Sequence, residues 1–142
     1  MEKYAYLEHL ADVLYEAYGS SFEEALENAA EAMFNVISDI ARIEEQKSYA
    51  VDEKASSMPE LVSFLLGDIV SLSDSQEYFF KRIKAEKLEV LPNGEGYRIK
   101  CAAFGEPYSA EKGLEHVKAV THHDTIVDEK NGAWRIRVLL DI

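Results

Sequence analysis

The 142 residues carry 27 acidic against 15 basic side chains, and the resulting charge of −12 argues against a chain that grips nucleic acid itself, because phosphate affinity comes from lysine and arginine. An apolar fraction of 47% is enough to fill one hydrophobic core, which argues against disorder and predicts a single domain over residues 1–142. The longest apolar run, Leu61 to Leu72, is broken by Ser63, Gly67, Asp68 and Ser71, so no membrane span is expected. The start at Met1-Glu2-Lys3-Tyr4 lacks the basic and apolar regions of a signal peptide, and one cysteine, Cys101, excludes an internal disulfide. The expected setting is cytoplasmic, and the negative field suits a basic protein or a cation as partner.

In chain order, Tyr4–Glu8 is a weak strand candidate. Phe22, Leu26, Ala29, Met33, Val36, Ile37 and Ile40 recur at helical spacing, and Ser21 with Glu24 forms a capping box at the start. Ile43–Asp52 is a second weak strand candidate. Another helix is predicted from about Pro59; its apolar residues lie nearly all round, which implies burial on more than one side, and Ser71, Ser73, Asp74 and Ser75 end it. Ile83 and Ala85 share one strand parity while Leu88 and Val90 share the other, so a bulge is expected near Glu86-Lys87. Pro92-Asn93-Gly94 then turns the chain into an alternating strand at Tyr97, Ile99, Cys101 and Ala103. A final hairpin runs from Thr125 through Asn131-Gly132 to Trp134, Ile136, Val138 and Leu140, which share one face. The pattern predicts an α+β fold, a mainly antiparallel β-sheet packed with two α-helices.

Three constellations invite chemistry. Asp12 and the Asp141-Ile142 ending would make an oxygen-rich site for Ca²⁺ or Mg²⁺ if the first and last strands meet; the plainer reading is a turn aspartate and a solvated terminal one. His116, His122, His123 and Asp124 carry zinc-binding side chains, but adjacent residues on a strand face opposite ways, so surface histidines are the better reading. Gly105-Glu106-Pro107-Tyr108 reads as a turn and lacks the pattern of a phosphate-binding loop. Cys101, at an alternating apolar position, reads as a buried structural thiol.

His9-Leu10-Ala11-Asp12-Val13, then Glu16-Ala17-Tyr18-Gly19 and Ser21-Phe22-Glu23-Glu24-Ala25, resemble the N-terminal signature of the archease family. Lys118-Ala119-Val120-Thr121-His122 is similar to the family's Lys-Ala-Val/Ile-Thr segment, and Trp134 through Leu139-Leu140-Asp141-Ile142 to its ending. Gly105-Glu106 also stands where the family has it, so the resemblance spans the chain. Glu8 replaces the usual Asp and Leu10 the usual Thr. The resemblance implies an archease-like fold and a protein cofactor of an RtcB-type tRNA-splicing RNA ligase rather than an enzyme. Such a cofactor promotes guanylylation and multiple turnover of the ligase and broadens its nucleotide use. It further implies a divalent-cation site at Asp12, Asp141 and the main chain of Ile142, with Lys118 and His9 facing the partner. A metal-dependent hydrolase and a chaperone-like module for RNA-processing proteins are the alternatives.

Overall fold

The computed structural model describes residues 2–8 and 12–142. Strand β1 (Tyr4–Leu7) pairs antiparallel with β2 (Val13–Gly19), placing Tyr4 opposite Ala17. Two residues later helix α1 (Phe22–Ile37) begins. Ser21 caps it by accepting the Glu24 N–H at 3.1 Å, and the Glu24 carboxylate accepts the Ser20 N–H at 2.7 Å. Both bonds satisfy donors that a helix start leaves open. The inner face of α1, including Leu26, Ala29, Ala30 and Met33, is fully buried.

A short 3-10 turn leads to β3 (Lys47–Ala55), and α2 (Met58–Gln76) follows with Ser57 as its cap. The remaining strands are β4 (Tyr78–Ala85), β5 (Glu89–Val90), β6 (Tyr97–Pro107), β7 (Ala119–Val120), β8 (Ile126–Lys130) and β9 (Ala133–Asp141). The fold is α+β, as expected, but its strands form two antiparallel sheets. One has the order β1-β2-β9-β7, with β8 also on β9; the other has the order β3-β6-β4, with β5 also on β6. Helix α1 packs on β2 and β9 of the first sheet and on β4 of the second, while α2 packs mainly on β3, β4, β6 and β7. One cluster of buried side chains from both helices and both sheets forms the core. No helix among the described residues is long and apolar enough to cross a membrane.

Several expectations shift. The weak strand at Ile43–Asp52 is β3, displaced toward Ala55 because the 3-10 turn occupies Ile40–Arg42. Helix α2 runs past its serines to Gln76, where Glu77 adopts a left-handed conformation and ends it. The parity switch near Glu86-Lys87 is a break between β4 and β5, whereas the register shift falls between Phe80 and Arg82. Two α1 carboxylates fill the break: Glu27 accepts the Ala85 N–H at 2.9 Å and Glu23 the Leu88 N–H at 2.7 Å. Gly105-Glu106 is no turn but part of β6. There the Glu106 carboxyl is buried, accepts the Glu44 N–H at 2.7 Å and meets Lys112, and these contacts hold it below the usual carboxylate range.

Gly105 faces the register shift so closely that a Cβ there would run into the Phe79 carbonyl oxygen. Gly105→Ala is therefore expected to cost about 2–3 kcal/mol, read from urea unfolding at constant m-value. Tyr15, fully buried, donates its hydroxyl to the Ala29 carbonyl at 2.8 Å. Tyr15→Phe removes this buried hydrogen bond while the carbonyl keeps its helical partner, and is expected to cost about 1 kcal/mol in the same measurement.

Candidate functional site

Strand β9 carries the candidate site at its last residues. It is hydrogen-bonded on one edge to β2 and on the other to β7 and β8. The register sets Val13 opposite Leu140, so Asp12, one residue upstream, is level with Asp141. On the other edge Ala119 lies opposite Asp141, and the Lys118 N–H donates to the Asp141 carbonyl at 2.8 Å. Three segments distant in sequence thus reach one end of one sheet with Asp12, Lys118 and Asp141. Asp141 and Lys118 are exposed, whereas Ile142 packs its side chain against the core. His9 lies outside the described residues.

The side-chain chemistry at this end is hard-oxygen. Among the described residues no group of three or more His, Cys, Asp or Glu side chains is arranged to hold a metal. The expected set differs in kind from such a group, with two aspartates and a main-chain oxygen.

The histidines diverge. His116 faces Asp74 at 3.7 Å, at the end of α2. His122 places Nδ1 2.9 Å from the Ser63 hydroxyl and its ring edge-on to Phe64, with centroids 5.3 Å apart. His123 lines a separate hollow with Asp124, Arg137, Leu14 and Leu139. Cys101 is buried, and burial, with the charge of Glu27, pushes its thiol up to about 12, far from a reactive thiolate.

Two polar clusters had no signal in local spacing. On the outer face of the first sheet the nearly buried Glu16 carboxylate accepts from Arg137 at 2.8 Å and from Arg135 at 3.2 Å, and Arg135 also pairs with Asp128 at 2.6 Å. The second lies in a cleft of about 310 Å³ between α2, β3 and β7, lined by Glu53, Ser63, Gly67, Asp68, Lys118 and His122 among others. There Glu53 of β3 and the exposed Asp68 of α2 line the same cleft. Glu53 occupies the same inward row of β3 as Tyr49, Val51 and Ala55, where an apolar residue is the norm.

Residues 4–142 match the model of the archease protein family (MTH1598/TM1083). The chain belongs to the archease family. It is 35% identical to the protein archease of Methanosarcina mazei over 99% of this chain and 97% of the relative. It is 34% identical to that of Aeropyrum pernix, covering 95% of this chain and 94% of the relative. The solution structure of Methanobacterium thermoautotrophicum protein 1598 superposes with a TM-score of 0.82 at 28% identity, covering all of both chains. A Thermotoga maritima crystal structure, described as an archease and possible chaperone, shares the fold at TM-score 0.62 and 19% identity over 96% of this chain and 94% of that one.

Lys118 is exposed and has no ion pair among the described residues. Lys118→Ala is expected to change unfolding free energy by no more than about 0.5 kcal/mol. A larger loss in urea titration would assign the side chain a structural task.

Proposed function

We propose that the chain is a protein cofactor that activates an RtcB-type tRNA-splicing RNA ligase, promoting its guanylylation and multiple turnover and broadening its nucleotide use. Membership of the archease family over residues 4–142 carries this reading. The meeting of Asp12, Asp141 and Lys118 at one sheet end supports it, because these are the positions at which the sequence matches the family's signature segments.

In this reading Asp12, Asp141 and the Ile142 main-chain oxygen hold Ca²⁺ or Mg²⁺, whose preference for oxygen donors they satisfy. The ion supplies positive charge where carboxylates otherwise repel. Lys118, anchored through its own N–H to the strand bearing Asp141, presents an ammonium beside that end. His9 belongs to the same partner-facing surface. The net charge of −12 steers the chain toward the basic RNA-binding face of the ligase, which keeps the RNA. The acidic end then enters near the nucleotide site and shifts metal or nucleotide placement there.

The test is a guanylylation assay with a purified RtcB-type ligase. Asp12→Asn, Asp141→Asn and Lys118→Ala are each expected to lower stimulation at least roughly tenfold, which corresponds to about 1.4 kcal/mol. Calorimetric titration of Ca²⁺ and Mg²⁺ is expected to show weaker binding for the two aspartate variants only. Full stimulation by Asp12→Asn would overturn the mechanism. Phosphoester turnover by the chain alone would favour a metal-dependent hydrolase. Capture of many unrelated RNA-processing proteins, without a ligase, would favour a chaperone-like module.

A further inference from the structure

We propose that the outer face of the β3-β6-β4 sheet is a contact surface for a single-stranded nucleic-acid segment, which stacks a base on the Arg82–Phe104 pair and lays phosphates against Lys54, Lys84 and Lys100.

The net charge of −12 averages over a surface on which this face stands apart. Ile83, Ile99, Cys101 and Ala103 point inward to the core, so the alternate residues of the same strands point out. The outward row of β6 is Arg98, Lys100, Ala102 and Phe104, and it stands opposite Lys54, Asp52, Ala50 and Ser48 of β3. On its other edge Ala102 and Phe104 stand opposite Lys84 and Arg82 of β4. Ala50 and Ala102 thus make a shallow floor with cations around it. Two of the carboxylates here are already paired, Asp52 with Arg98 at 2.6 Å and Glu45 with Arg82 at 2.9 Å. Glu86 and Glu89 stand at the rim, beside Lys100 and Arg98. Lys54, Lys84 and Lys100 have no ion pair among the described residues.

The stacking element is held in place. Arg82 donates from Nε and Nη2 to the two Glu45 carboxylate oxygens, each at 2.9 Å, which fixes the plane of its guanidinium. That guanidinium lies over the Phe104 ring, 4.4 Å from the centroid, while the Arg82 side chain stays 42% exposed. A guanidinium plane or an aromatic ring stacks any base, because every base has a π-face. Lys84 lies two residues from Arg82 along β4 and Lys100 four residues from Phe104 along β6, roughly 7 and 13 Å at the usual strand rise. An acidic peptide would use the lysines and leave the stacked pair idle, so a nucleic acid is the occupant that the whole face fits. In about 0.15 M salt charges are screened beyond roughly 8 Å, so acidic groups elsewhere on the chain oppose contacts here only weakly.

The sheet end with Asp12 and Asp141 belongs to the other sheet, so this inference stands or falls apart from ligase activation. It is tested on the chain alone, by fluorescence anisotropy of a short labelled oligouridylate and by ¹⁵N NMR with the same RNA. Binding at low salt is expected, with amide shifts confined to β3, β4 and β6. The slope of log K against log salt is expected to be about −2, as three lysine–phosphate contacts give. Lys84→Glu combined with Lys100→Glu is expected to weaken binding at least about tenfold. Arg82→Lys keeps the charge and loses the planar stack, and is expected to weaken binding about fivefold at an unchanged salt slope. A polyglutamate peptide is expected to bind more weakly and to be indifferent to Arg82→Lys. No RNA binding at low salt, or shifts centred on another part of the chain, would overturn the proposal. Polyglutamate binding as tight as that of RNA, with Arg82→Lys silent toward both, would assign the face to an acidic protein segment instead and overturn it equally.

Discussion

The register between β2 and β9 is the constraint from which the candidate site follows. Val13 opposite Leu140 fixes which residues of two chain-distant segments stand level, and the β7 pairing on the other edge of β9 adds Lys118. A slip of one residue would turn Tyr15, Ala17, Ile136 and Val138 out of the core, so the core itself enforces the alignment. On the outer face, Glu16 shared between Arg135 and Arg137 ties the same two strands by charge. Removing Glu16 would leave two guanidiniums facing each other there, a cost that repulsion adds to lost hydrogen bonding.

The acidity has two jobs. Some carboxylates serve the fold: Glu23 and Glu27 accept backbone N–H groups where β4 breaks, Glu106 holds the segment entering β3, and Glu24 closes the start of α1. These are local acceptors for donors that lack a ladder partner. The remaining charge, with Asp141 exposed at the sheet end, makes up the negative field that a basic partner would meet in the proposed function. Net charge read from composition merges the two.

Much of the fold was legible because its elements have clean periods. Helix α1 shows its apolar stripe and its cap, and the β8–β9 hairpin shows Asn131-Gly132 between alternating residues. Strand β2 was not assigned on its own pattern. Its outward row, Leu14, Glu16 and Tyr18, mixes large apolar residues with a carboxylate that only distant arginines explain. The break after β4 falls where the sequence suggests a bulge, near Glu86-Lys87, but its kind was not legible because the glutamates that fill it come from α1, some 60 residues away by the hydrogen bonds they make. At the site, Asp12 and Asp141 stood out through family resemblance, while spacing alone favoured a plainer reading. The cleft that Glu53 and Asp68 line gave no signal, since nothing in either residue's neighbourhood announces the other. In retrospect a glutamate on the inward parity of Tyr49, Val51 and Ala55 was the available clue.

The chain has one tryptophan, and its position divides β9 into two optical regions. Trp134 sits at the start of that strand, edge-on to Phe22 at the first turn of α1, with ring centroids 5.8 Å apart. Asp141 is seven residues further along, roughly 23 Å away at the usual strand rise. The indole emission therefore reports whether α1 is seated on the first sheet and is nearly blind to events at the far end. A change in indole emission would thus mark unseating of α1 rather than an event at the acidic end.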